Sequence, residues 1–162
     1  MKNFLLVFFL LIININFSFS ASSGSNENSN QKTNYEKAVS LIKAAKKYEK
    51  KGKVEKAEKR YQKAQKLLIK ANKKKPKNAD TLNYLGFTTR KLGNFEQGEK
   101  YYLQGLDINP NHIGINEYLG ELYVVTNRLD LAKDRLKVLE GCNCKEFNEL
   151  KAVIDGSKKS KY

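Results

Sequence analysis

The chain contains two cysteines and one histidine, and these side chains are the ones suited to redox, metal or nucleophilic chemistry. Cys142 and Cys144 stand in the segment GCNCKE, separated by one residue. A disulfide between them would close a small, strained ring, and we expect such a bond to be easily reduced. Pairing with a second chain, two free thiols, or binding of a soft metal such as Cu(I) are the alternatives. The metal is disfavoured because two thiolates are too few ligands, so no metal and no cofactor is expected.

No arrangement typical of catalysis accompanies these residues. A single histidine, His112, leaves no room for a base and a second group that orients it, unless a carboxylate lies beside it. The sequence has no glycine-rich phosphate loop and no H-E-x-x-H motif. His112 follows Pro110-Asn111 and is expected in a loop or at the start of a helix. We therefore expect neither an enzyme nor a small-molecule substrate.

The segment Met1–Ser20 has the pattern of a secretory signal peptide. Lys2 supplies the positive end, Phe4–Ile13 the apolar run, and Ser18 and Ser20 the small residues near the cleavage point. The run is shorter than the roughly 20 apolar residues of a membrane span, which favours cleavage near Ser20 over an uncleaved anchor. The mature protein is expected to be periplasmic or secreted. In that setting an even number of cysteines favours the disulfide within the chain.

Small and large apolar residues recur along the chain with a period of about 34 positions. The central set is Leu82, Leu85, Gly86, Gly93, Phe95, Tyr102 and Pro110. The set after it is Leu119, Gly120, Tyr123 and Ala132, with Asn127 in the place of the turn glycine. The set before it is Leu41, Ala44, Ala45, Tyr48, Gly52, Ala57, Tyr61 and Ala64. From Gly52 to Gly93 is seven residues more than the period. Because seven residues make about two helical turns, we expect a longer second helix whose apolar face is not rotated.

This pattern resembles the tetratricopeptide repeat, in which W-x2-L-G-x2-Y, A-x3-F and P follow one another within one period. The resemblance implies an all-α fold of three helical hairpins, stacked as a short right-handed solenoid with a C-terminal capping helix. A small exported bacterial protein of this family is the expected identity.

The expected organisation has four parts. They are a signal peptide at 1–20, a disordered spacer at 21–33, a repeat domain at 34–155, and a basic tail at 156–162. The repeat domain contains repeats at about 38–77, 79–112 and 113–142 and a capping helix at 145–155. The capping helix has Phe147, Leu150 and Val153 on one face. Asn143 and Glu146 resemble a capping box at its start.

The resemblance also implies that a protein or peptide binds in a concave groove, lined by the first helix of each repeat. The residues carried over to groove positions are Ile42, Lys46, Lys50, Asn83, Phe87, Arg90, Lys91, Glu117 and Glu121. Phe87 is the expected apolar anchor. Glu117 and Glu121 stand where the family's carboxylate clamp has cations or amides, which excludes that clamp. The ligand should be acidic toward the first repeat and basic toward the third. These residues predict a non-catalytic interaction module of the bacterial envelope.

The net charge of +14 is concentrated in the first repeat. Residues 32–77 contain 18 Lys or Arg and four Asp or Glu, whereas residues 78–155 contain nine Lys or Arg and twelve Asp or Glu. The alternative function is therefore a surface-associated structural protein, which docks on an anionic envelope component through this Lys-rich repeat. A biased composition, with 27 Lys and four Arg, explains the same charge without any function. No nucleic-acid partner is expected for an exported chain.

Overall fold

A computed structural model describes residues 32–160, which form seven helices and no strand. The predicted signal peptide, the spacer up to residue 31 and residues 161–162 lie outside the described part. The helices are α1 (Asn34–Glu49), α2 (Val54–Lys74), α3 (Ala79–Lys91), α4 (Phe95–Ile108), α5 (Ile113–Val125), α6 (Leu129–Val138) and α7 (Lys145–Ile154). Within 32–160 no helix is both long enough and apolar enough to cross a membrane.

Consecutive helices pack as three hairpins, α1 with α2, α3 with α4 and α5 with α6, and α7 packs on α5 and α6. The same left-handed backbone conformation follows the first helix of each hairpin, at Gly52 (φ +67°), Gly93 (φ +88°) and Asn127 (φ +58°). Glycine adopts this conformation without strain, and asparagine is the usual substitute. The predicted all-α fold of three hairpins and a closing helix is confirmed.

The second helix of the first hairpin is longer than its counterpart, as the spacing predicted. Helix α2 has 21 residues and α4 has 14, which accounts for the seven extra residues. Ala57, Tyr61, Ala64 and Leu68 are all buried at intervals of four, three and four residues. The insertion therefore extends one continuous apolar face and leaves its direction unchanged.

Close contacts between a glycine and a large side chain hold neighbouring helices together. A Cβ atom built on Gly86 of α3 would lie 2.5 Å from the ring of Tyr102 on α4, so only glycine allows this approach. A Cβ atom built on Gly120 of α5 would likewise lie 2.6 Å from the side chain of Leu150 on α7. Leu150 is fully buried there. Helix α7 thus covers the last hairpin in the way a capping helix must.

The predicted start of the repeat domain needs correction. Thr33, expected within the spacer, is the N-cap of α1. Its hydroxyl accepts from the Glu36 N–H at 3.2 Å, and its own N–H donates to the Glu36 carboxylate at 2.8 Å. The Thr33 N–H lowers the pKa of the Glu36 carboxyl, and so does the Thr33 hydroxyl, which lies 3.0 Å from the same carboxylate oxygen and donates to it. This is a Thr-x-x-Glu capping box, so the folded part includes Thr33.

At the other end of the domain, the capping box predicted for Asn143 and Glu146 is wrong. The N-cap of α7 is Cys144, without a side-chain cap hydrogen bond, and Asn143 instead takes a left-handed turn (φ +48°). Cys142 and Cys144 are joined by a disulfide in this turn, with their Cα atoms 5.2 Å apart. The backbone between the two cysteines therefore turns where the cap was expected.

We predict that Tyr102→Ala lowers the free energy of unfolding by about 3–5 kcal/mol, the usual cost of truncating a buried aromatic ring. The ring is fully buried and fills the gap left by Gly86. Leu103→Ala in the next position, 43% exposed, is the control and should cost about 0.5 kcal/mol. Urea denaturation followed by circular dichroism measures both variants. Equal losses in the two variants would contradict this packing of α3 on α4.

Candidate protein-binding face

The side chains predicted for the groove lie on or next to the first helices of the three hairpins, α1, α3 and α5, and we call their common surface the inner face. Lys50 is exposed, and Lys46 and Lys91 are half-buried. The other six predicted residues are buried, with exposures of at most 7%: Ile42, Asn83, Phe87, Arg90, Glu117 and Glu121. The three helices thus bring the predicted set together, but most of its members are not accessible at the surface.

Phe87 is the centre of an aromatic cluster that joins all three hairpins. Its ring is 1% exposed and lies 5.8 Å from the ring of Tyr61 and 5.1 Å from that of Tyr118, centroid to centroid. The ammonium of Lys46 lies 4.3 Å from the centroid of the Phe87 ring, and it donates to the Tyr118 hydroxyl at 3.2 Å. The expectation of an accessible anchor at Phe87 is therefore corrected: this ring packs between repeats because aromatic side chains approach it from both neighbours.

Arg90 and Glu121 form a buried ion pair between α3 and α5. Arg90 Nη2 lies 3.4 Å from Glu121 Oε2, both side chains are fully buried, and Nη1 donates to the backbone carbonyl of Tyr118. Burying two charges is costly unless they are paired and hydrogen-bonded. These two predicted groove residues consequently fix the position of the third hairpin on the second.

Three carboxylates gather at the C-terminal end of the inner face, which we call the acidic end. Oxygen atoms of Glu117, Glu121 and Glu149 all lie within 4.8 Å of one another. The repeat pattern predicts Glu117 and Glu121 here but not Glu149, because the pattern of α7 indicates only a cap. Cations of the chain face this group: Arg90 pairs with Glu121, and Lys158 Nζ lies 3.3 Å from Glu149 Oε2.

Cations face the opposite, N-terminal end of the inner face. Lys91 Nζ lies 2.6 Å from Glu49 Oε1, and the Tyr61 hydroxyl donates to Glu49 Oε2 at 2.8 Å. Burial raises the pKa of Tyr61, with the hydrogen bond to Glu49 as the second cause, so this hydroxyl stays a donor at neutral pH. Lys46, Lys50 and Lys91 outnumber Glu49, which makes this end basic while the opposite end is acidic.

Tyr118, like Glu149, belongs to this face and was not predicted from the sequence. It contacts Phe87, Lys46 and Arg90, and it therefore links the aromatic cluster to the buried ion pair. A signal was present in the sequence, because Tyr118 stands one repeat period after Tyr84.

His112 lies at a helix start, as expected. It is the N-cap of α5, where its Nδ1 accepts from the Ile115 N–H at 3.1 Å. Its Nε2 lies 3.2 Å from the Asp80 carboxylate on α3, so a carboxylate does lie beside the histidine. Because Nδ1 accepts, Nε2 carries the proton and donates to Asp80. Both ring nitrogens thus hold α5 in place, and His112 has a structural role.

A separate row of lysines runs along the outside of α2, and we call it the lysine stripe. Its members recur at intervals of three and four residues and are all exposed: Lys56, Lys59, Lys63, Lys66, Lys70 and Lys73. Such intervals place the side chains on one side of a helix. No ion pair links any of them to a carboxylate among residues 32–160.

Comparison with known proteins agrees with this architecture. Residues 79–112 match the family model of the tetratricopeptide repeat. The search of curated proteins gives no significant match. Residues 79–112 thus match a tetratricopeptide repeat in sequence, and the described domain has the fold of tetratricopeptide-repeat domains.

The solved structures that resemble the chain include tetratricopeptide-repeat domains. The first such domain of human RPAP3 is 24% identical to this chain, with a TM-score of 0.54. The match covers 78% of this chain and 98% of that domain. The first repeat domain of Spaghetti (RPAP3), bound to the HSP90 peptide SRMEEVD, is 23% identical, with coverages of 77% and 95% and a TM-score of 0.53. PcrH in complex with the chaperone binding region of PopD is 17% identical, with coverages of 73% and 88% and a TM-score of 0.52. At these identities the likeness establishes the fold.

We predict that Arg90→Met lowers the free energy of unfolding by about 3–5 kcal/mol, because it removes the guanidinium that faces buried Glu121. The double variant Arg90→Met with Glu121→Leu should recover most of this loss. The control is Arg128→Met, which removes a partly exposed pair with Glu99 at 2.7 Å and should cost about 1 kcal/mol or less. Urea denaturation compares the three variants. A loss no larger for Arg90→Met than for Arg128→Met would show that the buried pair does not hold the third hairpin.

Proposed function

We propose that this chain is an exported, non-catalytic interaction module of the bacterial envelope, which binds a peptide or protein partner along its inner face. The observation that carries the proposal is the division of charge on that face, with Lys46, Lys50 and Lys91 near one end and the three carboxylates of the acidic end at the other. With this division of charge, the inner face is complementary to a segment that is acidic toward the first hairpin and basic toward the third. Periplasmic or secreted localisation, based on the signal-like segment Met1–Ser20, is part of the proposal.

Two similar structures support a peptide as the partner. The Spaghetti (RPAP3) repeat domain was solved bound to an HSP90 peptide, and PcrH in complex with the chaperone binding region of PopD. The acidic end of this chain differs chemically from a carboxylate clamp, so the proposed ligand is not an acidic C-terminus held there. Phe87 is buried beneath the inner face and does not contact the partner directly. The partner instead contacts the rim, where Lys50 and Val125 are exposed.

Site-specific photo-crosslinking tests this function and identifies the partner in one experiment. A photoreactive amino acid is placed at Lys50 or at Val125 on the rim, and as controls at Lys63 on α2 and Leu131 on α6, both exposed and away from the inner face. In the producing cells, the two rim positions should give the same adduct, and the controls should not.

Calorimetry with the purified partner then completes the test. Binding should be weaker to Lys50→Glu than to Lys63→Glu, which makes the same charge change on the outside of α2. Adducts from all four positions, or from the controls alone, would reject the inner face as the binding site.

A second candidate function is docking on an anionic envelope surface, and the lysine stripe is the observation that favours it. The stripe runs from Lys56 to Lys73, or about 26 Å of helix, and no ion pair joins its members to a carboxylate among the described residues. A straight row of exposed cations suits a flat anionic surface, such as phospholipid headgroups, better than a narrow groove. This function and the first use different faces of the domain.

We predict that the triple variant Lys63→Gln, Lys66→Gln, Lys70→Gln binds anionic vesicles on the order of 100-fold more weakly, since each lysine near such a surface contributes about 1 kcal/mol. The control Lys133→Gln, Lys137→Gln, Lys151→Gln removes the same charge from exposed positions on α6 and α7. Co-sedimentation with phosphatidylglycerol vesicles at low and high salt measures both. Binding by the unaltered chain should fall steeply with salt. Equal binding by the two triple variants would show that the stripe is solvated surface and not a binding site for anionic vesicles.

A further inference from the structure

The segment after α7 turns back toward the inner face. Gly156, in a left-handed conformation (φ +74°), follows the end of the helix. Its N–H donates to the Val153 carbonyl at 3.2 Å, and the Lys158 N–H donates to the Ala152 carbonyl at 2.9 Å. The Ser157 hydroxyl adds a bond to the same Ala152 carbonyl at 3.1 Å. A glycine directly after a helix, with bonds that close on its last turn, is a capping arrangement that reverses the chain.

Beyond this turn, two residues of the segment contact the acidic end. Lys158 Nζ lies 3.3 Å from Glu149 on α7, and the Ser160 hydroxyl lies 3.5 Å from Glu121 on α5. Ser160 is itself half-buried, and Glu121 is fully buried. The segment therefore runs from its own helix across to the first helix of the third hairpin, over the carboxylates of the acidic end.

The charges of the two surfaces are complementary. Residues 156–162 read GSKKSKY, with three lysines and no acid. The acidic end has three carboxylates whose oxygens lie within 4.8 Å of one another. Like charges at this distance repel one another, so a cation placed beside them is stabilising.

We propose that residues 156–160 of the basic tail are an intramolecular ligand of the acidic end, and that the partner reaches this end by displacing them with a basic segment of its own. This inference rests on the proposed function of the inner face and names the chemistry of one half of its ligand: lysine side chains with small hydroxyl residues between them. The tail binds because it is tethered. Exposed ion pairs are weak individually, but a short linker gives a local concentration of about a millimolar or more. A ligand held in this way is displaced by a partner that binds additional parts of the inner face.

The test compares the full chain with a chain that ends at Asp155, using amide NMR spectra of both. Loss of the tail should shift the amides of Glu117–Glu121 on α5. Addition of the acetylated peptide GSKKSKY to the shortened chain should move those amides back toward their positions in the full chain. The same peptide should need at least about tenfold higher concentration to affect the full chain, where the site is occupied. The peptide GSEESEY is the matched control and should have no effect.

A full-length variant is the control for misfolding of the shortened chain. Lys158→Glu with Lys159→Glu keeps the glycine turn and the chain length, and its spectrum around Glu121 should resemble that of the shortened chain. Unchanged α5 amides in both altered chains, or equal effects of the two peptides, would overturn the proposal. If the rim crosslinks persist in that case, only the intramolecular ligand is rejected. If the peptide restores the shifts but the rim positions give no adduct, the proposed function fails and the tail contact stands.

Discussion

A single helical hairpin cannot cover its own apolar surface, and the packing of this domain depends on that constraint. Each hairpin is completed by a side chain from its neighbour. Tyr61 of the first hairpin and Tyr118 of the third enclose Phe87 of the second, and Leu150 of α7 closes the third hairpin over Gly120. Because every interface takes residues from two units, the loss of one interface should weaken the whole array and not one repeat alone.

Packing between neighbouring hairpins also uses charged residues of the inner face. Where α3 meets α5, an apolar pair would suffice for packing, yet the chain has the buried pair of Arg90 and Glu121. A hydrophobic replacement of similar volume is often as stable as such a pair, whereas a mismatched neighbour leaves a charge buried alone. We interpret the pair as a determinant of the position of one hairpin on the next.

Features that repeat along the chain could be predicted from the sequence, whereas features that depend on a neighbour in space could not. The turn at Asn127 and the seven extra residues of α2 followed from the repeat period, because backbone conformation and helix length are local properties. The burial of Phe87 could not be predicted in this way. It depends on Tyr61 and Tyr118, which belong to other hairpins and approach the ring only after stacking. Thr33 was missed for a different reason: its capping box lies at a composition boundary, where the polar spacer concealed a local signal.

The cations of this chain fall into two groups that differ in their surroundings. Lys46 and Lys91 lie on aromatic rings or beside a carboxylate, so their charge is part of the packing. No ion pair joins the lysine stripe to a carboxylate among the described residues, and salt or an external anion relieves the repulsion between its members along α2. Ionic strength should therefore act on the two groups differently. Exposed charges are screened within about 8 Å at physiological salt, whereas half-buried contacts are screened much less. The two proposed functions therefore differ in the salt dependence expected of each.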